Sequence, residues 1–151
     1  MKPTRRAVAL GLSAAALAGP VRAAPAVTVH KDPQCGCCGA WAAHLRRAGF
    51  AVTETPTADM EAVKARAGVP DALRSCHTAF VDGFVLEGHV PADVVERLLR
   101  ERPSVIGLAV PGMPMGSPGM EGPDPEPYDV IAFDRSGASR IFQAVRPRSG
   151  G

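Results

Sequence analysis

Three of the four cysteines in this chain fall within four residues, Cys35-Gly36-Cys37-Cys38, and the fourth, Cys76, stands beside His77. Cys35 and Cys38 have C-x-x-C spacing, with Cys37 as an extra thiol between them. Three chemistries compete for such a set. An even cysteine count in an oxidising compartment is compatible with two structural disulfides, in three possible connectivities. Three cysteines in four residues are nevertheless a poor staple for distant parts of a chain. Dithiol–disulfide exchange needs only Cys35 as the attacking thiolate and Cys38 as the resolving one, and Cys37 would be positioned to trap a wrong disulfide. A metal site uses all four thiols. Soft thiolates select Cu(I), whereas zinc sites typically pair two separated C-x₂₋₄-C knuckles, and only one exists here. Adjacent thiolates suit bridging between Cu(I) ions, so copper fits these residues better than zinc.

Thioethers and imidazoles extend the list. Met113-Pro114-Met115-Gly116-Ser117-Pro118-Gly119-Met120 spaces three methionines through a segment with no helical or strand periodicity. Methionines often fill core gaps. In a loop of this composition Met113, Met115 and Met120 are also candidate accessory or capturing ligands, because thioethers keep binding copper under oxidising or acidic conditions where thiols are lost. His77 is the histidine with the best case as a ligand. His89, in Gly88-His89-Val90-Pro91, is a supporting group or a turn residue. His30 ends a strand near the cluster, and His44 belongs to the surface or packing of the first helix. Asp32 is either a turn aspartate or a group tuning a thiol. No paired-carboxylate pattern, phosphate-cradling glycine loop or Ser/His/Asp set stands out.

The elements that must position these groups follow from patterning. Ala26–His30 is a short β-branched strand, and Lys31-Asp32-Pro33-Gln34 a turn. A helix then starts at the cysteines, with Trp41, Leu45 and Ala48 on one face and Gly49 as its stop. Thiolates at such a helix start are favoured by the positive end of the dipole. Residues 50–54 form a second strand. Thr57 is placed to cap a helix carrying Met60, Val63 and Ala67 and ending at Gly68. Residues 78–82 and 84–87 read as a hairpin through Gly83, and Pro91 opens a helix with a Val94, Val95, Leu98, Leu99 stripe closed by Pro103. Gly107 to Pro127 holds too many prolines and glycines to be regular, and residues 128–134 and 139–145 form a final hairpin. This order predicts an α/β sandwich of the thioredoxin-like class, with a Gly/Pro/Met-rich loop and a C-terminal β-hairpin. In that arrangement the loop carrying Cys76 sits beside the C-x-x-C turn.

The N-terminus supplies the compartment. Lys2, Arg5 and Arg6 precede an apolar run from Ala7 to Ala18, and small residues follow at Val21-Arg22-Ala23. This is the pattern of a secretory signal peptide, with cleavage expected after Ala23. Twelve apolar residues rise only about 18 Å as a helix, too little for a bilayer core of about 30 Å. The expected organisation is a signal over residues 1–23 and one metal-binding domain over 24–151, exported to the periplasm by the general or the twin-arginine route. The whole 151-residue chain carries a formal charge of +2; without Lys2, Arg5, Arg6 and Arg22 it has 13 basic and 15 acidic residues, a net of −2. With seven aromatic residues and no basic surplus, the mature domain is no nucleic-acid binder. Expected partners are copper ions and other periplasmic copper-handling proteins, with no membrane span after cleavage.

Four blocks carry a resemblance: Lys31-Asp32-Pro33-Gln34-Cys35-Gly36-Cys37-Cys38, Ser75-Cys76-His77-Thr78, Glu87-Gly88-His89-Val90-Pro91-Ala92 and Pro111-Gly112-Met113-Pro114. Together they resemble the exported, predicted metal-binding family that includes the CopG-type copper-resistance proteins, which are unrelated to the DNA-binding repressors of the same name. The likeness runs from about Val27 to Val145. It implies a periplasmic thioredoxin-like domain binding copper through Cys35, Cys37, Cys38 and Cys76, and a role in copper tolerance. A Cu(I)/Cu(II) redox activity is a proposal attached to such proteins. Ordinary thioredoxins carry a cis-proline before the third strand; here His77 takes that place, which exchanges a shield for a ligand.

Overall fold

The computed structural model describes residues 23–146. Apart from Ala23, the expected signal segment lies outside the described residues, as does the tail beyond Arg146. Strand β1 (Ala26–Lys31) buries Val27 and Val29 and exposes Ala26 and Thr28, the period of two expected of a half-buried strand. Helix α1 (Gly36–Arg47) buries Cys38, Trp41, Ala42 and Leu45, which the 3.6-residue period places on one face. Cys35 is its N-cap, with no side-chain cap bond, and His44, Arg46 and Arg47 gather in the last turn where the dipole favours cations. Ala48, expected on the packed face, is instead the exposed C-cap residue.

Strand β2 (Ala51–Pro56) follows, then α2 (Met60–Ala67), which stops at Gly68 with φ +72°. The cap of α2 is Asp59, whose carboxylate accepts from the Ala62 N–H at 2.9 Å, and not Thr57. Thr57 lies too far upstream. Its hydroxyl donates to the Thr55 carbonyl at 3.0 Å and faces His30 Nδ1 at 3.1 Å. After a short 3₁₀ turn (Asp71–Leu73), β3 (His77–Val81) and β4 (Phe84–Glu87) pair antiparallel across Asp82-Gly83, both at positive φ. Helix α3 (Ala92–Glu101) buries Ala92, Val94, Val95 and Leu98.

The 107–127 segment begins as a strand, contrary to the expectation that it is irregular. Strand β5 (Gly107–Ala109) is wholly buried and runs parallel to β4. Gly107 permits this, because a Cβ there would lie 2.8 Å from Val85 Cβ and 2.9 Å from the Phe133 ring. Strands β6 (Tyr128–Phe133) and β7 (Ser139–Val145) complete the sheet as antiparallel neighbours. The seven strands lie in the order β2-β1-β3-β4-β5-β6-β7.

A larger core joins Trp41 and Leu45 of α1 and Val94, Val95 and Leu98 of α3 to Val27, Val29, Leu86 and Leu108 of the sheet. A smaller one gathers Val69 and Leu73 on Val85, Ala109 and Phe133. Among the described residues the architecture is therefore a mixed α/β sheet with three helices. The register explains where its chemistry collects. Lys31 pairs with His77, Thr78 with Glu87, and Glu87 with Ala109. The end of β1, the start of β3 and the ends of β4 and β5 thus share one end of the sheet. Four connections meet there, carrying Cys35–Cys38, Cys76, His89 and Met113.

Candidate metal centre

The Sγ atoms of Cys35, Cys37, Cys38 and Cys76 all lie within 4.8 Å of one another. Three come from the β1–α1 turn and one from the segment before β3. Cys35 and Cys38 are joined as a disulfide, with Cα atoms 5.5 Å apart, while Cys37 and Cys76 are free thiols. Cys38 is buried and the other three are half-buried. Cys37 Sγ stands 3.6 Å from Cys35 Sγ and 3.8 Å from Met113 Sδ. Met113 is 51% exposed and shares with Cys76, Ser75, Lys64 and Arg74 the lining of an open cavity of about 310 Å³, which leads from solvent to the cluster. A larger groove of about 690 Å³, lined by Phe80, Val85, Ile106 and Arg135 among others, contains no cysteine or histidine.

The other expected methionines are placed differently. The Met115 thioether lies against Gly122, and the Met120 backbone closes an internal turn with Gly116 and Ser117. Within this loop Gly119 rests on the first turn of α1: a Cβ there would come within 2.7 Å of the Cys37 carbonyl and 2.9 Å of the Trp41 nitrogen.

Cys76 also belongs to a second group. Its Sγ is 3.2 Å from His77 Nδ1 and 3.1 Å from His89 Nε2, and both imidazoles are fully buried. The proton inventory assigns the His89 tautomer. Ser117 Oγ spends its single proton on the Pro114 carbonyl at 2.7 Å. The 3.1 Å contact with His89 Nδ1 must then be an N–H of the imidazole donating to Ser117. That leaves the Nε2 lone pair aimed at Cys76, the arrangement in which the far nitrogen of a histidine is fixed so that the near one can bind. Replacing Ser117 by alanine is expected to weaken metal binding about tenfold, measured by competition with a chelator, with little change in the unfolding midpoint.

His77 stacks between two rings, its centroid 4.2 Å from Trp41 and 5.5 Å from His89, and its Nε2 is buried without a hydrogen-bond partner. Burial first, then the neighbouring His89 and Lys64, depress its pKa to about 3, so the imidazole is neutral at any ordinary pH. Burial lowers His89 as well. Burial, reinforced by Cys37, raises the Cys76 thiol to about 12, and a metal arriving at neutral pH must displace that proton.

The remaining histidines have other work. His44 Nε2 accepts the Ala92 N–H at 3.1 Å, one of the unpaired amides at the start of α3. His30 meets Phe80 edge-on. Asp32 Oδ1 accepts the Gln34 N–H at 2.8 Å, as a turn aspartate does. His89 as a direct neighbour of Cys76 exceeds what its sequence context suggests. The signal was available in the hairpin: if Thr78 pairs with Glu87, residues just outside both ends face each other. Gly88 keeps that approach open. At φ +69°, a Cβ would sit 2.6 Å from Ser75 Oγ and 2.7 Å from the Val110 carbonyl. Gly88→Ala is expected to cost about 2–4 kcal/mol of stability, seen as a lowered urea midpoint at unchanged slope.

A family model described as "Protein of unknown function, DUF411" matches residues 73–120, the stretch holding Cys76, His77, His89 and Met113. No curated protein sequence matches the chain. Two solved structures do. "Copper resistance protein copG- Form 2" is 48% identical, with 82% of this chain and 99% of that one covered and a TM-score of 0.78. "Copper resistance protein copG- Form 1" is 49% identical over 81% and 98%, with a TM-score of 0.76. With nearly half of the aligned residues identical across essentially the whole of those proteins, and with its cysteines gathered into one cluster, this chain belongs to the CopG copper-resistance family, the family of the DUF411 model.

Proposed function

We propose that the chain is a periplasmic copper-binding protein, a thioredoxin-like domain over residues 24–151 exported by a signal at 1–23, that contributes to copper resistance by holding Cu(I). The observation that carries this reading is the double membership of Cys76. Its sulfur closes both the four-cysteine group and the Cys76/His77/His89 group. Thiolates favour Cu(I), and imidazoles accept copper in either valence, so copper entering through the cavity meets Met113 and Cys76 on its lining, with Cys37 behind Met113 and the buried histidines behind Cys76. Cys35, Cys37, Cys38 and Cys76 are the core ligands once the disulfide is reduced. His77 is the next ligand, His89 Nε2 joins it, and Met113 captures at the mouth. Met115 and Met120 are more remote accessory donors. The region 128–145 acts as a C-terminal β-hairpin that extends the sheet.

The test is anaerobic titration of the reduced protein with Cu(I) against a strong chelator. Trp41, the single tryptophan, lies beside His77 and reports on occupancy by quenching. The expected result is chelator-competitive Cu(I) binding that quenches Trp41, with weaker Zn(II) binding; Cu(I) left wholly with the chelator overturns the reading.

One feature favours a second reading. The Cys35–Cys38 disulfide at the start of α1, with Cys35 reachable and Cys38 buried, is the layout of an exchanging pair. On that reading the protein is a thiol–disulfide or Cu(I)/Cu(II) oxidoreductase. The reduced pair would give up two electrons and two protons to a protein disulfide, or one electron to each of two Cu(II) ions with both protons released to solvent. Absence of turnover with both substrates removes it.

A further inference from the structure

Beside the cluster lies a buried ion pair that none of the proposed ligand chemistry uses. Glu87 is fully buried and Lys64 is 3% exposed. One oxygen of Glu87, Oε1, accepts from Lys64 Nζ at 2.6 Å and from the Ser75 N–H at 2.7 Å. The other, Oε2, accepts from the Thr78 hydroxyl at 2.7 Å, and Lys64 Nζ also approaches Thr78 Oγ1 at 3.2 Å. A single carboxylate therefore grips the chain on both sides of Cys76-His77.

A buried ion pair is a poor means of stabilising a fold, since desolvation consumes most of its attraction and apolar replacements often do as well. These bonds have a more specific result. Ser75 precedes β3, so its N–H has no ladder partner and turns to Glu87 instead. The Ser75 hydroxyl in turn donates to the Gly112 carbonyl, next to Met113. On the other side of Glu87 in sequence, the Gly88 N–H donates to the His77 carbonyl at 2.9 Å, one residue before His89. Cys76, His89 and Met113 come from three different connections: one hydrogen bond joins Glu87 to the residue before Cys76, two reach the residue before Met113, and His89 lies two residues along the chain from Glu87 itself.

We propose that Glu87, held in place by Lys64, is the positioning residue of the centre: it sets Cys76 against His89 and fixes the Met113 loop by bonding to the backbone and hydroxyls around them. The inference deepens the copper-binding reading and rests on it for its purpose, though its geometry can be tested without metal.

The probe is alkylation of Cys76 by iodoacetamide in metal-free Cys37→Ser protein, with the Cys35–Cys38 disulfide intact so that Cys76 is the one free thiol. Lys64→Met/Glu87→Met removes the charges and the acceptors together. Lys64→Met/Glu87→Gln removes the charges but keeps an acceptor oxygen. The expected result is alkylation about tenfold faster in the first double variant, as the loop opens more often, and return most of the way to the parent rate in the second. In the same substitutions made on the native chain, Cu(I) affinity should fall and recover in the same order.

Equal alkylation rates in the parent and Lys64→Met/Glu87→Met overturn the proposal. Failure of the glutamine variant to recover while remaining folded also overturns it, because the acceptor is the claimed agent. Should the first double variant not fold, Thr78→Val removes one grip only, and an unchanged alkylation rate there is equally fatal. If alkylation follows the prediction but no form binds Cu(I), Glu87 keeps its positioning role and the copper reading falls.

Discussion

Serine in place of Cys76 lowers Cu(I) affinity at least about a hundredfold in the reduced protein, the largest effect expected of any single substitution. The reason is topological. Cys35, Cys37 and Cys38 belong to one turn, and the loss of one leaves two neighbours on the same piece of backbone. Cys76 is the sole thiol from the facing connection and the one whose Sγ lies within 3.2 Å of both imidazoles. A hydroxyl is a hard donor that does not form a thiolate, so the soft side and the nitrogen side lose their common atom. The fold should survive, because serine is close in volume and Cys76 is half-buried. Chelator competition and thermal unfolding on the same sample separate the two quantities. Affinity within about threefold of the native value would remove Cys76 from the centre.

Mild acid is expected to unfold the copper-free protein, with His77 as the main cause. Its pKa is about 3 in the folded state against an ordinary 6.5, and burial is the first reason. Below pH 6.5 the unfolded chain binds a proton on this imidazole that the native state refuses. Stability is therefore complete above pH 6.5 and falls as the pH drops toward 3. The slope is about 1.4 kcal/mol per pH unit from this one group, or about 5 kcal/mol over the window. Small domains have only about 5–15 kcal/mol in total. His89, lowered in the same direction, adds to the loss. A carboxylate held low by hydrogen bonds, as Asp134 is by Ser136, adds its own loss at the acid end of the window, where the carboxyls of the unfolded chain take up protons at about pH 4. The diagnostic interval is thus pH 6.5 to 4.5, followed by urea midpoints. His77→Phe should flatten the curve there, leaving what His89 and His44, both also lowered by burial, contribute. An unchanged slope in that variant would mean that His77 is not the group responsible.

Much of this architecture was legible in the sequence where local patterning and burial agreed. Val27 and Val29 in alternation, Trp41 with Leu45, and the stripe of Val94, Val95 and Leu98 each mark a face, and each face is buried. The hairpin around Gly83 was legible because Asp82-Gly83 must take positive φ. Strand β5 was hidden, since Gly107 looks like a breaker until Val85 and Phe133 close on it from neighbouring strands. The cap of α2 falls on Asp59 and not Thr57, because both are capping types and local pattern does not show that the helix begins only at Met60, three residues beyond Thr57.

The cysteines announced themselves by spacing, and the clustering of all four sulfurs follows from the register of β1 against β3. His89, Ser117, Lys64 and Glu87 gave weaker signals. Each acts through a partner far away in sequence: Cys76 for His89, His89 for Ser117, and Ser75 for Glu87. No local period reports such pairs. Among the methionines, composition could not separate Met113, which reaches Cys37, from Met115, which faces Gly122.

The loop between β5 and β6 starts and finishes on adjacent strands, and within it Gly119 is pinned on α1 while Ser117 is buried against His89. Its two halves must therefore respond differently to changes in length. From Val110 to Met120 the number of residues is fixed by distance: one more or one fewer would carry Met113 off Cys37 or Ser117 off His89. From Glu121 to Asp124 the chain is exposed. The return is itself tied to the loop by the Glu126 N–H, which donates to the Met115 carbonyl at 2.9 Å, so residues added at Pro123-Asp124 would bulge outward between Gly122 and that bond, at a closure cost that grows by about 0.6 kcal/mol for each doubling of the loop. Pro123-Asp124 is accordingly the place to graft a tag or a fluorophore that must leave the cysteine–histidine cluster undisturbed.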